Sequence, residues 1–225
     1  VQWGIRDDLR FCRVGDRTIF LDLRTERYFG LPAAADQAFR QFLAATPPSA
    51  NDERELQPLI ARGLLVPGGA AASSVQPPAK NQAEGDLRFA LPDRVSPVIV
   101  ALALGCELTA MLAARKQSLN TIASDLDRWR CGAAPEKDRS PTDLETYAAL
   151  AAAFERIALL LRPADRCLIK ALAFLRACRS RNLFPSLVFG VRANPFAAHC
   201  WVQHHALVLN DELERVRIYT PILVL

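Results

Sequence analysis

Residues 167–211 read CLIKALAFLRACRSRNLFPSLVFGVRANPFAAHCWVQHHALVLND, and a change of hydrophobic period inside them decides the fold. Leu168, Ala171, Leu172 and Leu175 repeat at helical spacing from Cys167, and Pro163 suits a helix start just before it. From Ser186 the period falls to two, so that 187–191, 198–203, 207–210 and 216–219 read as strands of an antiparallel sheet. A helix with a cysteine in its first turn thus leads into a sheet bearing a histidine and an aspartate. Cys167, His199 and Asp211, in that order, suit a thiol acyl-transfer site: a thiolate needs a base beside it, and the base needs an orienting carboxylate.

Each member has a plainer reading alone. Cys167 reads as one more small buried hydrophobe, whereas at a helix N-terminus, beside Arg166, its thiolate is stabilised by unpaired N–H groups and the helix dipole. In the alternating run AHCWV, His199, Trp201 and Gln203 share one face, and Cys200 and Val202 point to the other. Hairpin register then decides Asp211. A three-residue loop, His204-His205-Ala206, pairs Gln203 with Leu207 and sets His199 opposite Asp211; a two-residue loop pairs His199 with Asn210 and turns Asp211 away. The triad so read requires the longer loop, with Asn210 as fallback orienter, while the plain reading of Asn210-Asp211 is a strand-ending turn. Cys167, His199, Cys200, His204 and His205 are all zinc-ligand types. Cys200 points away from His199, however, and no CxxC or HxxxH spacing occurs, so neither metal nor cofactor is expected. Cys106 and Cys178 read as core residues.

Upstream, 97–116, 118–130 and 142–161 read as helices, with Ser118 capping the second and Thr142 with Glu145 a capping box for the third. The longest apolar run, 97–114, is near spanning length, but it carries Glu107 and is rich in Ala and Gly, so a buried helix and no membrane span is expected. The stretch 67–85, PGGAAASSVQPPAKNQAEG, has no hydrophobic period and reads as a linker. Ahead of it, 9–14 and 17–23 read as strands around the Gly15-Asp16 turn, and 27–31 as a third. Phe39, Phe42 and Leu43 mark a helix after Pro32. Asn51 or Asp52 can cap a second helix, with Leu56, Leu59, Ile60 and Leu64 as its buried stripe and Gly63 near its end. The expected fold is α+β. A winged-helix-like domain of three strands then helices (1–68) and a linker (69–85) precede helices packed on an antiparallel sheet (86–225).

With 225 residues, 51% apolar and 23% charged, the chain is an ordinary soluble globular protein in composition. Residues 1–68 balance nine Arg against nine Asp or Glu, and the net charge overall is only +4, so the basic footprint of a nucleic-acid binder is missing. Six cysteines without regular spacing, and a start without a basic-then-apolar segment, point to a reducing cytoplasm rather than a disulfide framework.

The quoted stretch also resembles the C-terminal half of the lasso-peptide B proteins, leader peptidases with a transglutaminase-like, papain-like fold. GVRANPFAAHCWV with its downstream ND carries the likeness, over roughly 162–211. The resemblance implies Cys167 as nucleophile, His199 as base and Asp211 as the third member. The layout of 1–68, with the run ERYFGLP, is similar to the family's leader-recognition element, which implies a fused protein. There the leader would add a strand along Thr25, Glu26, Arg27, Tyr28 and Phe29 and pack against Leu56, Leu59 and Ile60. The second of that element's three helices is shortened here to 47–50. The implied partners are a precursor peptide and a separate ATP-dependent macrolactam synthetase, which joins the freed α-amine to an Asp or Glu side chain. Three alternatives stay open: acyl transfer to an amine, a peptide-binding scaffold with a vestigial triad, and a DNA-binding regulator, the last opposed by the neutral N-terminal charge.

Overall fold

The computed structural model describes residues 3–44, 50–71, 82–113, 118–131, 141–158 and 167–225. The chain divides into two compact units, Val1–Pro78 with Val191–Ala197 and Thr220–Leu223, and Ala79–Gly190 with Ala198–Tyr219 and Val224–Leu225.

The first unit begins with β1 (Trp3–Ile5), β2 (Leu9–Val14), β3 (Arg17–Asp22) and β4 (Arg27–Gly30), followed by α1 (Ala33–Leu43), α2 (Ala50–Ala61) and β5 (Leu65–Pro67). Strands β2, β3 and β4 form an antiparallel meander in which Phe11 faces Phe20 and Phe20 faces Phe29. Alternation puts these rings on one face, where Phe39 of α1 meets Phe11 at 5.3 Å and Phe20 at 5.0 Å between centroids. Ile5, Leu9, Leu56, Leu59, Leu64 and Leu65 complete this core. Helix α2 stops at Gly63, whose φ of 65° lets the Leu64 N–H turn back to the Leu59 carbonyl at 2.9 Å.

Four details differ from expectation. A two-stranded ladder joins β1 to β5, with Ile5 opposite Leu65; three residues are too few to show a period. Thr25 and Glu26, two of the positions expected along the leader, lie in the turn before β4, Glu26 at φ 57°, while β4 starts at Arg27 as expected and ends one residue short of Leu31. Asn51 and Asp52 fall inside α2 rather than ahead of it, since the helix already starts at Ala50; positions 47–49 of the shortened helix lie outside the described residues. The expected linker is ordered at both ends, for Ala70 exchanges backbone bonds of 2.7 and 2.9 Å with Ile5, and Gly85 is in a strand; 72–81 lie outside the described residues.

The rest of the chain carries β6 (Gly85–Asp86), α3 (Pro97–Ala113), α4 (Leu119–Cys131), α5 (Pro141–Ala158), α6 (Cys167–Arg179), β7 (Ser186–Arg192), β8 (Ala197–His204), β9 (Leu207–Val208), α7 (Leu213–Val216) and β10 (Thr220–Val224). Ala103 of α3 packs with Ala153 and Ile157 of α5, and Phe154 meets Phe174 of α6 at 5.4 Å. Ser118 caps α4, accepting the Thr121 N–H at 3.2 Å. Thr142 does not cap α5, which starts one residue earlier at Pro141. Among the described residues no helix is long and apolar enough to cross a membrane.

The strands form one sheet in the order β10-β7-β8-β9-β6. It is not purely antiparallel, because β6 runs parallel to β9. The expected strand at 216–219 is also absent. Asp86 Oδ2 accepts the Leu213 N–H at 2.8 Å, a partner 127 residues away, and the chain there makes the short helix α7. The last strand comes later, at β10, an outer strand where Pro221 is tolerated.

Candidate active site

Cys167 opens α6, His199 lies on β8 and Asp211 follows β9, and the three come together. The hairpin does so by an unexpected route. Gln203 pairs with Val208 and His204 with Leu207, leaving a two-residue turn, His205-Ala206, with His205 at φ 51°. The three-residue loop that the ladder argument required is therefore not used. The reason is that β9 ends after Val208. The Leu209 N–H still reaches the Val202 carbonyl at 2.9 Å, but the Val202 N–H donates to the Asn210 side-chain oxygen at 2.7 Å, and 209–211 bend. Asn210 thus ends the strand rather than orienting the base, and the bend carries Asp211 Oδ2 to 2.5 Å from His199 Nε2.

With Nε2 held by Asp211, Nδ1 is left for Cys167. Burial works against a charged His199, yet its bonds to Asp211 and to Cys167 push its pKa up to about 9. The Cys167 thiol is pulled down to about 4, first by a hydrogen bond from the Cys200 thiol, against burial, and further by His199 and the Cys200 backbone N–H. Burial also opposes the Asp211 charge, but His199, the Glu212 N–H at 2.8 Å and Arg215 at 3.6 Å hold it below the usual carboxylate range. The site therefore stores a thiolate beside an imidazolium at neutral pH, the reactive pairing for nucleophilic attack. Burial acts oppositely elsewhere, pushing Cys12 to about 12 and raising Cys106 and Cys178; Cys178 is a core residue as expected, whereas Cys106 is only half-buried.

Cys200 is the residue that sequence reasoning set aside. The alternation itself holds: the His199 and Trp201 rings stack at 6.2 Å, and Trp201 Nε1 donates to Gln203 Oε1 at 2.8 Å on the same face. Cys200 nevertheless gives both its thiol and its backbone N–H to the Cys167 sulfur, which lies against the strand backbone at 199–200 rather than over one face. A second cysteine directly after His199 was the available signal. Tyr219 packs on His199 at 5.3 Å, and Gly190 makes room for both rings, since a Cβ there would come within 2.8 Å of Trp201 and 2.9 Å of Tyr219.

The remaining candidates are placed as follows. His204 and His205 pack ring to ring at 4.3 Å at the hairpin end, and no group of three or more His, Cys, Asp or Glu among the described residues is arranged to hold a metal. Arg27, Tyr28 and Phe29 lie on β4, an outer strand, with Phe29 stacked on Phe20 at 5.1 Å and Tyr28 near Phe196 at 5.8 Å. Leu56 and Leu59 face the core and only Ile60 is half-buried, because the stripe that holds α2 to the sheet is that same apolar set.

The profile of the transglutaminase-like superfamily matches residues 108–224, the part of the chain that holds Cys167, His199 and Asp211. The chain belongs to the transglutaminase-like superfamily. The match takes in α4 to α6, the sheet from β7 onward and all three site residues. This transglutaminase-like chain is also similar to the microcin J25-processing protein McjB of Escherichia coli, 44% identical over 45 residues. That stretch covers 20% of this chain and 22% of McjB. No solved structure matches.

Proposed function

We propose that this protein is a cysteine peptidase that binds the leader of a ribosomal lasso-peptide precursor and removes it, freeing the core peptide's α-amine. The observation that carries the reading is the Cys167–His199–Asp211 constellation with a thiolate near pKa 4 and an imidazolium near 9. The likeness to a microcin-processing protein supports the substrate class. The Cys167 sulfur bonds to the scissile carbonyl carbon, and the carbon–nitrogen bond breaks as His199 gives its proton to the leaving amine. Water then adds to the thioester, His199 takes its proton, and the thiolate leaves, while Asp211 holds the ring throughout. The leader is captured by residues 1–68, adding a strand along Arg27, Tyr28 and Phe29 of the outer strand β4, with Ile60 alongside. Capture raises the local concentration of the scissile bond through the segment 69–85. An ATP-dependent macrolactam synthetase in the same cytoplasm consumes the product.

The test is the Cys167→Ala variant with the precursor peptide: cleavage is lost while leader binding is kept, and amide exchange at 27–30 slows when leader is added. Undiminished cleavage by that variant refutes the assignment. Acyl transfer to an amine is the second reading, favoured by the superfamily; mass spectrometry of the leader distinguishes a free carboxylate from an amine adduct.

A further inference from the structure

Two sulfurs meet at the site, and the cleavage mechanism uses one of them. Cys200 holds its thiol against the Cys167 sulfur and aims its backbone N–H at the same atom, so the two sulfurs are neighbours in the resting site. Their access differs. Cys200 is 3% exposed, whereas Cys167 is only half-buried. A small oxidant therefore reaches Cys167 first, and Cys167 is also the thiolate, the form that oxidants attack. The bond to that thiolate, together with burial, keeps Cys200 protonated and its pKa well above the ordinary thiol value. A sulfenic acid at Cys167 carries no charge, so oxidation there removes the first cause that holds the Cys200 proton. An accessible thiolate backed by a second thiol is the arrangement that reversible redox sites use. Cys106 and Cys178 are the contrasting pair. They too interact, but burial holds both protonated, so neither starts the reaction.

We propose that Cys167 and Cys200 form a peroxide-sensitive pair, which closes to a disulfide that switches the nucleophile off and which a dithiol reopens; the switch rests on the peptidase reading. The Cys167 sulfur bonds to one oxygen of hydrogen peroxide, the O–O bond breaks, and the departing hydroxide takes the His199 proton and leaves as water. The Cys200 sulfur then bonds to the Cys167 sulfur, the S–O bond breaks, and the Cys200 proton leaves with the hydroxyl group as a second water. Two thiol sulfurs are oxidised and one peroxide is reduced. A dithiol restores both thiols by exchange and is itself left as a disulfide. Without Cys200 the sulfenic acid stays open to further peroxide and goes on to the sulfinic acid, which thiols do not reverse. Cys200 thus serves the site twice, as hydrogen-bond donor at rest and as resolving thiol under oxidation.

The test exposes the full-length protein and its Cys200→Ser variant to hydrogen peroxide, stops the reaction with catalase, and treats half of each sample with dithiothreitol. Labelling of Cys167 by iodoacetamide is read relative to the same protein unexposed, and an unreduced digest is mapped by mass. The wild type is expected to lose at least about tenfold in labelling and to return within about twofold of its starting rate with dithiothreitol. Its digest should hold the Cys167 peptide joined to the Cys200 peptide, two hydrogen masses below their sum. Cys200→Ser should lose labelling as well, yet stay at least about fivefold below its starting rate after dithiothreitol, with Cys167 as sulfinic acid. Equal recovery by the two proteins, or an exposed wild type without the joined peptide, overturns the pair. A joined peptide that persists in Cys200→Ser also overturns it, since the backbone nitrogen at that position has then captured Cys167 as a sulfenamide. Undiminished precursor cleavage by the joined wild type refutes Cys167 as the nucleophile, and the switch with it, while the pair itself stands.

Discussion

Replacing Cys200 by Ala tests the electrostatics of the site at the contact the sequence hid. Its thiol is the first cause of the low Cys167 pKa, about 4, so its removal takes a donor from the thiolate while leaving the His199 ring and the Cys200 backbone N–H in place. A hydrogen bond to a charged group contributes about 1.5–3 kcal/mol, and one pKa unit is about 1.36 kcal/mol, so the variant's thiol should titrate roughly one to two units higher, near 5 to 6. That magnitude decides where to look. At pH 7 both proteins are about nine-tenths thiolate or more, and the variant reacts as fast or slightly faster, because nucleophilicity rises with pKa. At pH 5 the wild type is still about nine-tenths thiolate, whereas the variant falls to between roughly a half and a tenth. The assay is site-resolved iodoacetamide alkylation of Cys167 from pH 3 to 8. Cys200→Ser, which keeps a donor, should follow the wild type. Superimposable Cys200→Ala and wild-type profiles would refute the reasoning, leaving Cys200 as packing only.

Peptide cleavage should rise with pH as Cys167 ionises near 4, hold a plateau, and fall as His199 loses its proton near 9, since the leaving amine then has no acid; a profile that still climbs above pH 9 contradicts the stored ion pair. Asp211→Asn removes the charge that raises His199, so the alkaline limb should move down toward the ordinary histidine value of about 6.5, and kcat should fall by as much as about 10⁴ as the ring loses its orienting carboxylate; an unmoved limb assigns that pKa to another group. Gly190→Val drives a side chain into the Trp201 and Tyr219 positions and should cost about 1–3 kcal/mol by overpacking, read as a lower Tm together with slower cleavage, because both rings flank His199; a variant that melts and cleaves like the wild type shows that the rings can shift freely.

What could be read from the sequence follows the range of the forces involved. The Cys167 helix, the His199 strand and the β2–β3–β4 meander are set by period and turn chemistry within a few residues, and they stand where the pattern puts them. The Ser118 cap is equally local. The parallel β6–β9 pair, the β1–β5 ladder and helix α7 depend on partners far along the chain, such as Asp86 on the Leu213 N–H, and no window of adjacent residues contains them. The leucines of α2 mark a different limit. A stripe at helical spacing says that a face is covered without saying by what, and here Leu56 and Leu59 are covered by Phe39 and its neighbours.

The hairpin shows why the meeting of His199 with Asp211 was easier to read than the route that brings it about. Register arithmetic assumes a continuous ladder, in which a shift of one residue flips every side chain. That assumption fails once a side chain can take the place of a backbone acceptor. Asn210 does so by accepting the Val202 N–H, and from that point Asp211 is placed by a bend that alternation does not govern. The short amide that reads as a turn former is thus what steers the carboxylate to the imidazole. The requirement that a base have an orienting acid constrains which residues meet, whereas the path of the chain between them is free to use any turn that brings them together.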